Sequence, residues 1–284
     1  MRTGQFDDML PTLARRDFLC AATVLGSAAG LFSSAGLARS SAVTSRATAL
    51  LAPGTRIEMG IRFVRENSGL ERGHERVTYA SNLDGSITMS ARSESFDPPV
   101  VRDVIYLLGP DFRPLSCSVQ ITNAGRPAGA GWYRLTEDMA ELEGIADGKR
   151  ISRQQPLNGP VRALVAHPVS SDVFVGMAAD KSQLGKVVRA DGVYLTSADP
   201  YGRTGPEFVA ANVAVAYLGI EQVTTPIGRM PADHYLLYLP AANGRFAPFQ
   251  DLWCAVGTPV FLKAYARPPV ATRYEISSLE IAPA

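Results

Sequence analysis

The chain has 284 residues, 28 of them Lys or Arg and 27 Asp or Glu, for a net charge of +1. That balance leaves no basic excess to steer the chain toward nucleic acid or an anionic membrane, so neither is expected as a partner. Only four of the 28 basic residues are lysine (Lys149, Lys181, Lys186, Lys263), a bias that a GC-rich genome explains as readily as a need for planar guanidinium groups.

The first element in chain order is "ARRDFLCAATVLGSAAGLFSSAGLA", residues 14–38. Its run from Phe18 to Leu37 is uncharged but rich in Ala, Gly and Ser, too weakly apolar for a good membrane anchor. A basic start, a modest apolar stretch and a small-residue end fit a secretory signal cut near Ala38. The pair Arg15 and Arg16, followed by Asp17, Phe18 and Leu19, resembles the twin-arginine (Tat) export signal, with Ala14 where Ser or Thr is usual. The resemblance implies the Tat translocase as a partner, a periplasmic location and folding before export, for which a cofactor or a co-exported enzyme is the common reason. Cys20 opens the apolar run instead of closing it, which does not suit a lipoprotein signal. Cleavage removes Arg2, Arg15 and Arg16 together with Asp7, Asp8 and Asp17, so the charge of +1 is kept. No cofactor is expected, because no G-x-G-x-x-G, Walker A, C-x-x-C or C-x-x-C-H motif occurs.

Residues 39–54 carry Ser, Thr, Ala and a Pro-Gly pair without periodicity and read as a flexible lead. From Thr55 to the end, residues 55–284, a single antiparallel β domain is expected. Short runs such as "RIEMGIRFV", "RVTYASN", "SITMSAR", "VVRDVIYLL" and "PLSCSVQIT" follow one another between Gly, Asp, Asn or Pro, the pattern of a meander. Ile87, Met89 and Ala91 alternate with Thr88, Ser90 and Arg92, so one face is apolar and the other wet. Asp84-Gly85 and Asp147-Gly148 each suit a two-residue hairpin, and 123–126 another turn.

Residues 161–206 read as an insert. Within it "HPVSSDVFVGMAADKS", 167–182, breaks the strand rhythm and predicts a helix of two or three turns capped by Ser170 or Ser171. "GVYLTSADPYGRTGPE" reads as loop, and "FVAANVAVAYLGIEQV", "MPADHYLLYL", "DLWCAV", "VFLKAYA" and "RYEISSLEI" return to strands. The fold expected is mainly β: a curved antiparallel sheet or open half-barrel wrapped around a short helical plug.

Cys117 alternates in phase with Leu115, Val119 and Ile121, and Cys254 with Leu252 and Val256, so both face an apolar interior. They read either as two buried thiols or as a disulfide formed in an oxidising compartment. His167 has Asp172 five residues on, which could form an acid and base pair or be a histidine capping a loop before proline. His234 lies half-buried on a strand, with a backbone carbonyl as its expected partner, and His74 falls on a solvated loop. Three scattered histidines and two interior thiols do not make a closed zinc site, so no metal is expected. Arg102 shares a strand face with Val104 and Tyr106 and reads as a charge lining a cavity or, preferably, as an edge-strand gatekeeper. Glu141 and Glu143 read as a solvated sheet face, and Tyr79, Tyr106, Trp132, Tyr133 and Tyr235 as core or pocket wall.

The stretch from Val215 to Glu280 is similar to exported proteins of the DUF3108 type in Gly219, Glu221, Val223, Pro226, Gly228, Ala232 and His234, then Trp253, Pro259 and Val260, then Tyr274, Glu275 and Ile276. The resemblance implies a curved sheet around a helical plug, as in lipoprotein carriers of the LolA and LolB type, and no reaction. The expectation is a periplasmic binding or carrier protein for a hydrophobic small molecule or lipid, with Arg102, Tyr133, His167, Asp172 and His234 as ligand-binding candidates. Two alternatives stand beside it. One is a cofactor-free lyase, isomerase or hydrolase using His167 and Asp172, and the other is a structural partner co-exported with a redox enzyme.

Overall fold

The computed structural model describes residues 51–283. The export segment with Arg15 and Arg16, the cleavage point near Ala38 and residues 39–50 of the lead lie outside the described residues.

Eight strands follow one another: β1 (Thr55–Arg65), β2 (Glu71–Ser81), β3 (Ile87–Phe96), β4 (Pro99–Leu108), β5 (Pro114–Asn123), β6 (Arg126–Leu135), β7 (Met139–Ala146) and β8 (Lys149–Pro156). Each pairs antiparallel with its predecessor. Alternation sets the inner face: Ile57, Met59, Ile61 and Phe63 of β1, Ile87, Met89 and Ala91 of β3, and Val104 and Tyr106 of β4 are all buried. Two turns form as expected, with positive φ at both central residues, Ala124 (48°) and Gly125 (75°), and Asp147 (49°) and Gly148 (72°). The β2–β3 turn differs. Asn82 N–H bonds Ser86 O, only Gly85 has positive φ (82°), and the Asp84 carboxylate accepts from Ser86 N–H at 2.9 Å, which stabilises a longer loop than the two residues predicted.

After β8 the chain leaves the sheet. It passes through β9 (Ala163–Val165), a 3₁₀ turn (Val169–Asp172), the short helix α1 (Val173–Met177), β10 (Val188–Arg189), β11 (Val193–Leu195) and β12 (Val209–Ala210). It then forms β13 (Ala214–Thr225), β14 (Gly228–Pro240), β15 (Phe246–Ala255), β16 (Phe261–Ala266) and β17 (Thr272–Pro283). The 14-stranded sheet runs β10-β13-β14-β15-β16-β17-β1-β2-β3-β4-β5-β6-β7-β8. The chain therefore starts in the middle, runs out to the β8 edge, crosses to the β10 edge, and works back until β17 pairs with β1. Among the described residues the two edges stay unpaired, so the sheet is an open half-barrel. Edge strand β8 is almost fully exposed and carries Lys149, Arg150 and Arg153, charges that discourage pairing with another chain.

The crossing segment, 157–213, is the plug. Leu164, Val165, Val169, Val173, Phe174 and Val175 join the inward residues of the large sheet in one core, because a single-layer sheet must cover its apolar face. β9, β11 and β12 form a three-stranded sheet within it, with β9 and β11 parallel, so part of the stretch read as loop is strand. The helix is also shorter than expected. Neither serine caps it: Ser171 Oγ donates to Pro168 O at 2.7 Å, and Ser170 Oγ reaches the sheet. No helix among the described residues is long and apolar enough to cross a membrane.

Cys117 and Cys254 are buried and free, so the bridge is not formed. They sit on strands β5 and β15, which six other strands separate in the sheet.

Candidate functional site

Strands β2 and β4 and the plug bring polar side chains together at one end of the core. In β2, alternation places Glu75 in phase with Val77 and Tyr79, and it is buried. Its carboxyl accepts from Val169 N–H at 2.8 Å and Ser170 N–H at 3.2 Å and bonds Ser170 Oγ, which ties the start of the plug's helical segment to the sheet. Burial pushes Glu75 up to about 8, against the opposing effect of these hydrogen bonds. The carboxyl is thus held largely in its neutral form at neutral pH.

In β4, Arg102 is in phase with Val100, Val104 and Tyr106 and is 2% exposed. β4 has partners on both sides, so the edge-gatekeeper reading is wrong, and the alternative, a charge facing the interior, is what the fold contains. The guanidinium donates to Gly202 O and Thr204 O and, at 2.9 Å, to Thr196 Oγ1. Its Nε has no partner, and no carboxylate pairs with it among the described residues. Burial lowers Arg102 to about 10, which still leaves it charged at neutral pH. Gly202, at φ +67°, permits the close approach, since a Cβ there would lie 2.8 Å from His167 Cγ and 2.9 Å from Arg102 Nη1.

His167 stands at φ 75° before Pro168, with Nε2 3.3 Å from Ser197 O. Burial, aided by the nearby Arg102 charge, pushes it down to about 4, so the ring is neutral at pH 7. Asp172 accepts from Gln250 Nε2 at 2.8 Å, and burial raises it to about 7. No hydrogen bond or ion pair joins His167 to Asp172, so the expected acid and base pair is not formed.

Arg102, His167 and Asp172 nevertheless line one cavity of about 120 Å³ with Phe63, Arg72 and Val100. Arg72 points there because of a bulge: Phe63 pairs with Gly73 and Val64 with Glu71, so Arg72 is skipped in the ladder. Its Nη1 donates to Thr272 Oγ1 and its Nη2 to Asp97 O, each at 3.0 Å. A wider polar cleft of about 450 Å³ adjoins, sharing Arg72 and Tyr201 with the inner cavity.

The other candidates lie elsewhere. Tyr133 is fully buried and donates to Glu207 O at 2.7 Å. Of the aromatics expected in core or pocket, Trp132 is 46% exposed. His234 faces away from the plug, and its partners are carboxylates, not a backbone carbonyl: Glu221 is 3.3 Å from Nδ1, Asp251 is 3.2 Å from Nε2, and Trp253 stacks on the ring at 4.4 Å. Thus Glu221, His234 and Trp253, three positions of the motif stretch, form one cluster on the outer face. His74 is on strand β2 rather than on a loop, within 4 Å of Glu71 and Glu94. Glu141 and Glu143 flank buried Leu142 on the outward face, as expected. On the far side of the plug, Asp233 accepts from Lys181 Nζ at 2.7 Å, Tyr217 OH at 2.8 Å and Gly257 N–H at 2.8 Å.

Sequence reasoning missed Glu75 and Arg72. Glu75 carried a signal, a carboxylate in phase with Val77 and Tyr79, while the bulge that turns Arg72 inward has none.

No family model and no curated protein matches the chain. Among solved structures, the chain is similar to a beta-barrel-like protein of the domain of unknown function DUF1849 from Brucella abortus, at 10% identity over 82% of this chain and 100% of that one, with a TM-score of 0.48. It is also similar to a protein with a YmcC-like fold from Bacteroides fragilis (9% identity, 81% and 96% covered, TM-score 0.26). A DUF1329 family protein from Desulfovibrio piger gives 12% identity, 84% and 90% coverage and a TM-score of 0.21.

Proposed function

We propose that the protein is a periplasmic binding or carrier protein for a small hydrophobic molecule, held in the cavity between the plug and strands β1 to β4. The observation that supports this most is the cavity itself. Phe63, Val100, Val169 and Tyr274 give it apolar walls, and a few polar groups converge on it, the usual make-up of a small-molecule site. The plug occupies the concave face that a large lipid would need, so the ligand is compact. Export is supported by the residues of the 14–38 segment. Catalysis is the weaker reading, because His167 and Asp172 are each bonded to other partners.

The test is native followed by denaturing mass spectrometry on protein recovered from the periplasm of its own host. A small hydrophobic mass, released on unfolding and missing from a cavity-filling Ser95→Phe variant, is expected. An empty protein that also fails to bind small aromatic probes would overturn the proposal.

A further inference from the structure

Resting on the binding reading above, we infer that the ligand is a small organic monocarboxylate, its carboxylate received by Arg102 and Arg72 and its apolar body by the walls of the cavity.

Arg102 is the anomaly that leads here. A guanidinium removed from water costs several kcal/mol unless it is paired, and among the described residues the donors of Arg102 find only two carbonyls and one hydroxyl. Its Nε is buried and unpartnered. Asp199, a plug carboxylate whose charge acts on Arg102, is committed to Arg203 at 2.7 Å. Arg72 repeats the pattern at the cavity mouth, held by a threonine hydroxyl and a carbonyl, with no carboxylate on it among the described residues. A planar oxyanion is the partner that suits a guanidinium fork.

The protein's own acids do not fill this role. Glu75 spends its oxygens on the plug's N–H groups, and Asp172 is turned to Gln250. Burial holds both toward their neutral forms, which leaves the positive charge of the two arginines in excess. Size then limits the anion. The cavity measures about 120 Å³, and an engineered apolar cavity of about 150 Å³ accommodates benzene. A short-chain acid fits, as does an aryl acid whose carboxylate sits at the arginines of the mouth, and beyond them lies a mostly polar cleft that does not suit a longer apolar chain.

Isothermal titration of the purified protein with benzoate and hexanoate, against benzyl alcohol and hexan-1-ol as uncharged counterparts, tests the inference. Each acid is expected to bind at least tenfold tighter than its alcohol. Arg102→Met should erase that preference while keeping alcohol binding. Because Arg102→Met can fail to fold, Arg72→Gln at the cavity mouth serves as a second variant and should weaken acid binding at least threefold. Equal affinities for acid and alcohol in the natural protein, or a preference unchanged in both variants, would overturn the carboxylate inference and leave the binding reading standing. Binding of none of the four probes would overturn both. A longer acid, decanoate, binding much more tightly than hexanoate would also sink the inference in its small-ligand form.

Discussion

Glu75 on the sheet and Ser170 on the plug are joined twice: the Ser170 N–H donates to Glu75 at 3.2 Å, and the serine hydroxyl bonds the same carboxyl oxygen. With Val169 N–H at 2.8 Å on the other oxygen, one buried side chain satisfies the opening N–H groups of a helical segment that has no side-chain cap of its own. The plug is thus registered against β2 by a polar contact, as Arg102 registers it against β4 through Thr196. Hydrophobic packing alone leaves such a register loose.

Removing this contact gives the first prediction. Glu75→Ala strands two buried N–H groups and a hydroxyl, and each unsatisfied group costs about 1–3 kcal/mol. A drop in unfolding free energy of about 3 kcal/mol or more is expected in urea titration. A cost under about 1 kcal/mol would show that the plug holds its position without Glu75.

The same carboxyl makes stability depend on pH. Glu75 sits at about 8 in the fold against 4.5 free, and Asp172 at about 7 against 3.8. Between those values the folded state holds more protons than the unfolded chain, so stability falls as pH rises. Their contribution is complete below about pH 4 and lost by about pH 8. The urea midpoint should therefore decline from about pH 5 to about pH 8.5, and Glu75→Gln should flatten the decline, leaving the part due to Asp172. A midpoint that rises over this range would contradict the assignment.

Gly202 offers a test of how tightly the cavity is built. Alanine there needs φ near +67° and puts a Cβ 2.8 Å from His167 Cγ and 2.9 Å from Arg102 Nη1. The left-handed backbone costs an ordinary residue about 1–2 kcal/mol, and relieving the contact must move Arg102. Gly202→Ala is expected to lower stability by about 2–3 kcal/mol and to lose the preference for benzoate over benzyl alcohol. Retained preference would show that Arg102 is positioned by Thr196 and Thr204 without Gly202.

The two thiols predict a clean chemical result. Cys117 and Cys254 are at most 1% exposed, and burial pushes both upward, away from the reactive thiolate. Neither should react with Ellman's reagent in the native protein, and both should react once it is unfolded without reductant. No reaction after unfolding would mean a bridge formed in the periplasm.

The sheet was legible in the sequence because strand alternation is local. Ile87, Met89 and Ala91 declare their face without reference to anything else, and Asp147-Gly148 declares its turn. What depends on neighbours was not legible. The face of Arg102 could be read from Val104 and Tyr106, but whether β4 is an edge or a central strand depends on β3 and β5. His234 was legible as half-buried, whereas its partners Glu221 and Asp251 come from the flanking strands. The cavity is harder still, since the plug joins His167 to Arg102 across 65 residues of sequence.

Lys181 and Asp233 anchor the other end of the plug, and their unequal exposure predicts unequal costs. The Asp233 side chain is 2% exposed and that of Lys181 39%. Lys181→Met leaves Asp233 still bonded to Tyr217 OH and Gly257 N–H, and the partial exposure of the ammonium screens what is lost, so about 1–2 kcal/mol is expected. Asp233→Ala releases Lys181 to solvent but leaves Gly257 N–H and Tyr217 OH without their acceptor, so about 2–4 kcal/mol is expected. The double variant should cost less than the two single costs added, because each removes the same ion pair. Additive costs would mean that the 2.7 Å contact contributes nothing of its own, and that the plug's far end is held by packing around Phe174 and Tyr235 alone.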